Sequence, residues 1–313
     1  MSAESLAALA PGFRTFVIVA GAATLAGVAL LLASRRGSPA ARRRGALVGR
    51  YLLLTVLAVI VLFPIYITVV DSLLQPDQVV AKPPILFPRH PQWSSYSTAW
   101  NQGHLGRYLL NSFIVTTAIV VGELVTSIAA AYAFAFLEFP FRRTLFVVFL
   151  ATMMVPVEVT FLTNLSTVVS LGWYNSYLGL TVPFLATGFG AFLLRQSFLG
   201  LPKDLRDASR LDGAGHWRFL RAVVLPVSRP AVAALAIFSF FAAFGQYLWP
   251  LIVTKDDRLR TVQIGLKFLA NSQLNNFNVV FAGTVLAALP LFILLILFEK
   301  QLVRGLTAGA VKG

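Results

Sequence analysis

The sequence predicts an all-α, polytopic transmembrane helical bundle of about seven spans. Three observations carry this. Of 313 residues, 58% are hydrophobic and only 12% charged, about half the roughly 25% charged share of soluble domains. That leaves too little polar surface to cover a water-exposed globule. The chain also holds seven apolar stretches close to the roughly 20 residues a helix needs to cross a bilayer core. Finally, the formal charge of +14 is concentrated in alternate connecting segments, as the positive-inside rule requires.

The stretches lie near 13–34, 51–70, 110–136, 144–167, 177–195, 229–253 and 278–299. The first is too long for a signal peptide, starts near Glu4 and ends against Arg35, Arg36, Arg42, Arg43 and Arg44. Its charge therefore lies on the wrong side for secretion, and it reads as an uncleaved helix with its N-terminus outside. In that topology the cytoplasmic segments 35–50, 137–143, 195–229 and 300–313 carry six, two, seven and three Lys or Arg, 18 together. The outer segments carry eight, so the C-terminus is expected in the cytoplasm.

Pro64, Pro156, Pro183 and Pro290 fall within spans, where a kink is tolerated if neighbouring helices or a cavity satisfy the freed carbonyls. The outer segment 71–107 holds Pro76, Pro83, Pro84, Pro88 and Pro91, then Trp93, Tyr96 and Trp100. It is expected along the outer interface, which favours such aromatic side chains. No repeat relates the two halves, which argues against the common secondary-transporter folds.

The segment Leu201 to Pro230 breaks the hydrophobic pattern. Leu205, Ala208 and Leu211 recur at helical spacing, with Asp204 early and Arg210 late, as the helix dipole favours. Gly213 and Gly215 offer left-handed turn positions, and a second short helix is expected from Trp217 to a stop at Pro226. The segment thus reads as a helix–turn–helix on the cytoplasmic face.

Its spacing resembles the "EAA" signature of ABC importer permeases, Glu-Ala-Ala, three residues, Gly, nine residues, then Ile-x-Leu-Pro. Here it stands as Asp207-Ala208-Ser209, three residues, Gly213, nine residues, then Val223-Val224-Leu225-Pro226. Residues 305–313 resemble the tail of maltose-type permeases. MVPVEVTF (154–161), FLLRQSF (192–198) and FGQYLWPL (244–251) look most like the second permease of glycerol-3-phosphate importers. The resemblance covers 51–313. It implies an importer transmembrane domain at 51–299 with its coupling loop at 201–226, a cytoplasmic tail at 300–313, and an extra N-terminal helix with a basic linker at 1–50.

What the resemblance implies for mechanism is a loop docked in a groove of the ATPase. Asp207, Ala208, Ser209, Asp212, Gly213, Leu225 and Pro226 would form that coupling site. Ala208 and Ser209 would allow close helix approach, Gly213 the turn, and Asp207 and Asp212 polar contacts. Asp in place of Glu shortens the reach at Asp207. The implied partners are a second homologous permease, two ATPase subunits, an extracytoplasmic solute-binding protein and membrane lipid, with no nucleic acid.

The chain has no GxxxxGK[ST] loop, so it holds no cofactor of its own, and ATP and Mg are expected on the partner ATPase. The absence of cysteine excludes disulfides and thiolate metal sites. His90, His104 and His216 lie in loops without metal-ligand spacing, and no nucleophile–base set is present for an enzyme.

Glu123 and Glu158 are the ionisable groups well inside spans, where a carboxylate normally faces protein or water. Glu158, just after Pro156, stands equally between lining a cavity and a structural role, whereas Glu123 reads as a structural carboxylate. Gln246, Tyr247 and Trp249 offer hydrogen-bonding and stacking groups for a polyol, or an interfacial anchor. Asn164 is a weaker substrate-path candidate, and Arg195 reads as a cytoplasmic anchor. The resemblance implies an importer subunit for glycerol-3-phosphate or a glycerophosphodiester such as glycerophosphocholine, with an oligosaccharide such as maltose or trehalose as alternative. An ion-coupled secondary transporter is the alternative from another class.

Overall fold

The computed structural model describes residues 39–307 together with 21, 22, 24 and 26–29. Those seven earlier positions are helical, and the rest of the expected first span at 13–34 lies outside the described residues, as do 308–313 of the tail. Among the described residues every regular element is helical, as the composition predicts.

Two units make up the chain, one of residues 1–103 and 268–286, the other of 104–267 and 287–313. The first unit contains α1 (Pro39–Leu73), α2 (Pro76–Val79) and α3 (Ser94–Gln102). Pro64 sits inside α1 without ending it, and Thr68 Oγ1 donates to the Pro64 carbonyl at 2.9 Å. The proline-rich outer segment is tied to α1 by Tyr66 Oη to the Leu86 carbonyl (2.5 Å) and Gln92 N–H to the Leu73 carbonyl (2.8 Å). Ser72 Oγ meets Tyr96 Oη at 2.7 Å. Trp93 and Trp100 remain exposed, in keeping with an interfacial place.

The second unit is built on α4 (Leu105–Phe136), 32 residues and so about 48 Å long. After it come α5 (Arg142–Thr152), α6 (Val157–Ser170), α7 (Tyr177–Thr181), α8 (Gly188–Leu199), α9 (Lys203–Leu211), α10 (His216–Phe219), α11 (Leu225–Val227), α12 (Arg229–Phe244) and α13 (Leu248–Val253). The last helices, α14 (Val262–Ser272) and α15 (Phe277–Thr307), run through the boundaries between the units. Both α8 and α12 pack against α4. Their contact combines small residues with large ones: Ala131, Ala135 and Ala231 lie in one cluster with Tyr132, Phe136, Leu194, Phe198 and Leu235. At Gly190 of α8 a Cβ would meet the Ser127 side chain of α4, so glycine favours that close approach.

Among the described residues three helices are long and apolar enough to cross a membrane, at Ala46–Leu73, Leu105–Phe136 and Phe277–Lys300, or up to five if each of two bent pairs is one span. Of the seven expected spans, the first lies largely outside the described residues, and three others are broken or bent. The stretch at 144–167 is two helices, α5 and α6, broken at 153–156 ahead of Pro156. The stretch at 177–195 bends by 43° between Phe184 and Gly188, and that at 229–253 is interrupted at Gly245–Tyr247. A hydropathy average passes over such breaks because they are only three or four residues long and are flanked by strongly apolar helix.

Candidate functional site: a helix–turn–helix loop and a cavity

The loop expected to couple to an ATPase is a helix, a turn and a second helix. Pro202 precedes α9 and Asp204 lies in its first turn, with Arg210 in its last, complementing the dipole at both ends. Gly213 adopts φ +69°. Its N–H donates to the Arg210 carbonyl and that of Ala214 to the Ser209 carbonyl, both at 3.0 Å, closing the helix end through a left-handed residue. Gly215 does not share this role: at φ −69°, ψ 169° it is extended and starts α10.

The second helix also departs from expectation, since it runs through Pro226 and ends at Ser228. Residues Leu220–Val224 form a π turn, in which Leu225 N–H reaches the Leu220 carbonyl. A proline lacks the N–H and crowds the carbonyl four residues back; the wider π turn just before it accommodates both. At Ser228 the chain then bends by 78° into α12.

The two faces of the loop differ. Ser209 and Val224 are buried, the latter in the core with Phe198, Phe219 and Leu220, and Leu225 packs against that cluster. Asp207, Ala208, Asp212 and Gly213 are exposed, and Leu211 is 90% exposed beside a 64% exposed Trp217. The inner face is fastened to α4. Tyr132 Oη lies 2.9 Å from His216 Nδ1 and 3.2 Å from the His216 carbonyl oxygen. Arg206 Nη2 donates to the Phe136 carbonyl at 3.2 Å. Arg195, expected as a cytoplasmic anchor, donates from Nε to the Phe134 carbonyl (3.2 Å) and lies 4.0 Å over the Phe146 ring.

The second unit has an open cavity of about 730 Å³ lined by the helix breaks and the helices beside them. From α4 come Ile119 and Glu123, and from the α5–α6 break and α6 come Thr152, Met153, Val155, Thr160 and Asn164. The turn at 182–187 and the start of α8 give Pro183, Phe184, Thr187 and Phe189, and α12, the break beyond it and α13 give Ser239, Gln246, Tyr247 and Trp249. Thr126 Oγ1 donates to the Leu185 carbonyl at 2.6 Å, satisfying one backbone group freed by the break.

Of the residues expected on a substrate path, Asn164, Gln246, Tyr247 and Trp249 are brought together here and Glu158 is not. Glu158 sits exposed in the first turn of α6, where the helix dipole favours an acid. Asn164 Nδ2 reaches Thr160 Oγ1 at 3.4 Å, and Gln246 Oε1 is a buried acceptor with no hydrogen-bond partner among the described residues. Trp249 is 2% exposed, donates Nε1 to the Gly179 carbonyl at 3.0 Å and packs on Phe161 and Phe184. It supplies wall, with its donor already committed.

Glu123, read from the sequence as structural, is the carboxylate that lines the cavity, with Ser239 beside it. The sequence signal for Ser239 and Thr187 was weak, because isolated hydroxyls inside apolar runs bond as readily to their own helix. Among the described residues no group of His, Asp and Glu is placed to hold a metal ion.

Known proteins fit this architecture. Residues 123–307 match the family model described as "Binding-protein-dependent transport system inner membrane component". The sn-glycerol-3-phosphate transport system permease protein UgpE of Agrobacterium fabrum is 37% identical over 265 residues, covering 82% of this chain and 94% of that protein. Its counterpart in Rhizobium meliloti is 38% identical over the same shares, and one from Yersinia pestis is 35% identical over 84% of this chain and 97% of that protein. Among solved structures, a bacterial ABC transporter involved in the import of the acidic polysaccharide alginate aligns with a TM-score of 0.73 at 22% identity, over 85% of this chain and 98% of that one. That likeness concerns the fold. With more than half of its length matched by the family model and relatives above 30% identity along most of it, the chain belongs to the binding-protein-dependent transport system inner membrane components, the permease subunits of ABC importers.

Proposed function

We propose that this permease forms one half of the translocation path for sn-glycerol-3-phosphate or a glycerophosphodiester such as glycerophosphocholine. It works with a second homologous permease, two ATPase subunits that bind ATP and Mg and perform the hydrolysis, and an extracytoplasmic solute-binding protein. The N-terminus lies outside and the C-terminus in the cytoplasm, as the 18-to-8 split of basic residues favours. Residues 1–50 add a helix and basic linker to the importer domain at 51–299, and 300–313 form a tail toward the ATPase.

The observation that carries the coupling role is the loop itself. Its inner face is bonded to α4, while Leu211, Asp207 and Ala208 face outward, free to enter a groove. ATP-driven closure of the ATPase pair would pull on this loop and so on α4, which also bears Glu123 of the cavity. The substrate reading is supported by the relatives at 35–38% identity, whose names specify glycerol-3-phosphate. One observation favours a second reading, an oligosaccharide such as maltose or trehalose: among the described residues the cavity's polar lining is hydroxyl, amide and carboxylate groups with aromatic rings beside them, and no Lys, Arg or His.

The test is copurification followed by ATPase assay in lipid, with the binding protein and candidate substrates added. Gly213→Pro fixes φ near −65° and removes the N–H bonded to Arg210, so it should abolish ATPase association or stimulation. Stimulation by disaccharides and not by glycerophosphates would select the second reading. If no ATPase associates with the wild type, the importer role is wrong.

A further inference from the structure

The cavity poses a charge problem for a phosphate ester. Among its lining residues Glu123 is the sole carboxylate, and no cation balances it. An ionised carboxylate only accepts hydrogen bonds, and phosphate oxygens are acceptors carrying roughly −1.5 to −2 charge. In a poorly screened site the two repel. An alcohol O–H, by contrast, donates to a carboxylate in a charge-assisted bond.

Glu123 is also firmly placed. It is 9% exposed on the most heavily packed helix of its unit. At its neighbour Gly122 a Cβ would collide with the Leu185 side chain, so α4 lies directly against the broken span. One turn on, Thr126 holds the Leu185 carbonyl. Ser239 stands beside the carboxylate, and Asn164, Thr160 and Gln246 line the same cavity, groups suited to a polyol.

We propose that Glu123 is a specificity-determining residue that receives a hydroxyl of the substrate, so that this permease takes the glycerol end while the phosphate points away from it. This rests on the glycerol-phosphate reading above. It reconciles that reading with a cavity lacking bases, because the cation for the phosphate then belongs elsewhere on the path.

The test is a residue–hydroxyl cycle in the complete importer reconstituted in proteoliposomes with its binding protein. Uptake is measured for sn-glycerol-3-phosphate, 2-hydroxypropyl phosphate and 3-hydroxypropyl phosphate, each analogue lacking one hydroxyl. The binding protein is unchanged, so its selectivity cancels in the ratio of mutant to wild type. Glu123→Gln should lower kcat/KM for glycerol-3-phosphate by about tenfold or more, the value of a charge-assisted hydrogen bond. For the analogue lacking the contacted hydroxyl, the loss should be under about threefold. Equal losses for all three esters would overturn the proposal. Should Glu123→Gln fail to assemble, Glu123→Asp keeps the charge, withdraws it by one methylene, and is read by the same comparison. Uptake of none of the three by the wild-type importer would remove the substrate reading, and this inference with it.

Discussion

Tyr132→Phe isolates the joint between the helix–turn–helix loop and α4. The substitution keeps the ring, whose neighbours are Phe136 at 5.2 Å, His216 at 5.9 Å and Phe219 at 6.5 Å between centroids. Only the hydroxyl is lost, and with it the contacts to His216 Nδ1 and the His216 carbonyl. A neutral hydrogen bond contributes about 1 kcal/mol net. Because His216 is exposed, water can satisfy its freed groups, which keeps the cost near that figure. One kcal/mol shifts the loop's attachment to α4 about fivefold. Tyr132 and Glu123 lie nine residues apart on α4, about 13 Å along the axis, so a looser attachment transmits less of the loop's movement to the cavity. The assay is the ratio of substrate-stimulated to basal ATPase in the reconstituted importer, expected to fall by about fivefold with the complex intact. Tyr132→Ala also empties part of the core, a change of about 3–5 kcal/mol, and should cost assembly. Wild-type stimulation in Tyr132→Phe would refute the idea that this joint carries the signal.

Other outcomes follow from the same geometry. Leu211→Glu, at a 90% exposed position, should leave the permease folded while lowering ATPase copurification by about tenfold, the effect of a buried interface anchor turned into a charge. Trp249→Phe removes the bond to the Gly179 carbonyl and should destabilise the detergent-solubilised protein by about 1 kcal/mol, seen as earlier heat-induced aggregation. Asn175 accepts from the Lys255 and Asp256 N–H groups and donates to Asp256 Oδ2; Asn175→Ala should therefore cost about 2–3 kcal/mol and expose the 254–260 segment to protease. Asn175→Gly relieves the φ of +54° yet loses the same bonds, so it should be cleaved nearly as fast.

Much of this was legible in the residues. Membrane class and most span positions follow from hydropathy, since an unbroken apolar run has few places to fold but a helix in lipid. Gly213 was legible because a left-handed position after Arg210 tolerates little else. What escaped was whatever depends on neighbours in space. Glu158 beside Pro156 stood equally between a cavity-lining and a structural role; the helix starting at Val157 places it in an exposed first turn, and the carboxylate that lines the cavity is Glu123. Pro226 looked like a stop until the π turn before it removed the clash. Trp249, expected as a substrate-stacking group or an interfacial anchor, lines the cavity, and the carbonyl that takes its N–H belongs to Gly179, 70 residues earlier in the chain.

The most direct test of the central claim, that this permease couples a cytoplasmic loop to a glycerol-phosphate path, is ATPase activity of the reconstituted importer. It would be measured with and without binding protein and sn-glycerol-3-phosphate, in wild type and in Gly213→Pro. Stimulation by the loaded binding protein in wild type, absent in the variant, is the expected result. Equal activity in the two proteins, or stimulation indifferent to the substrate, would contradict it.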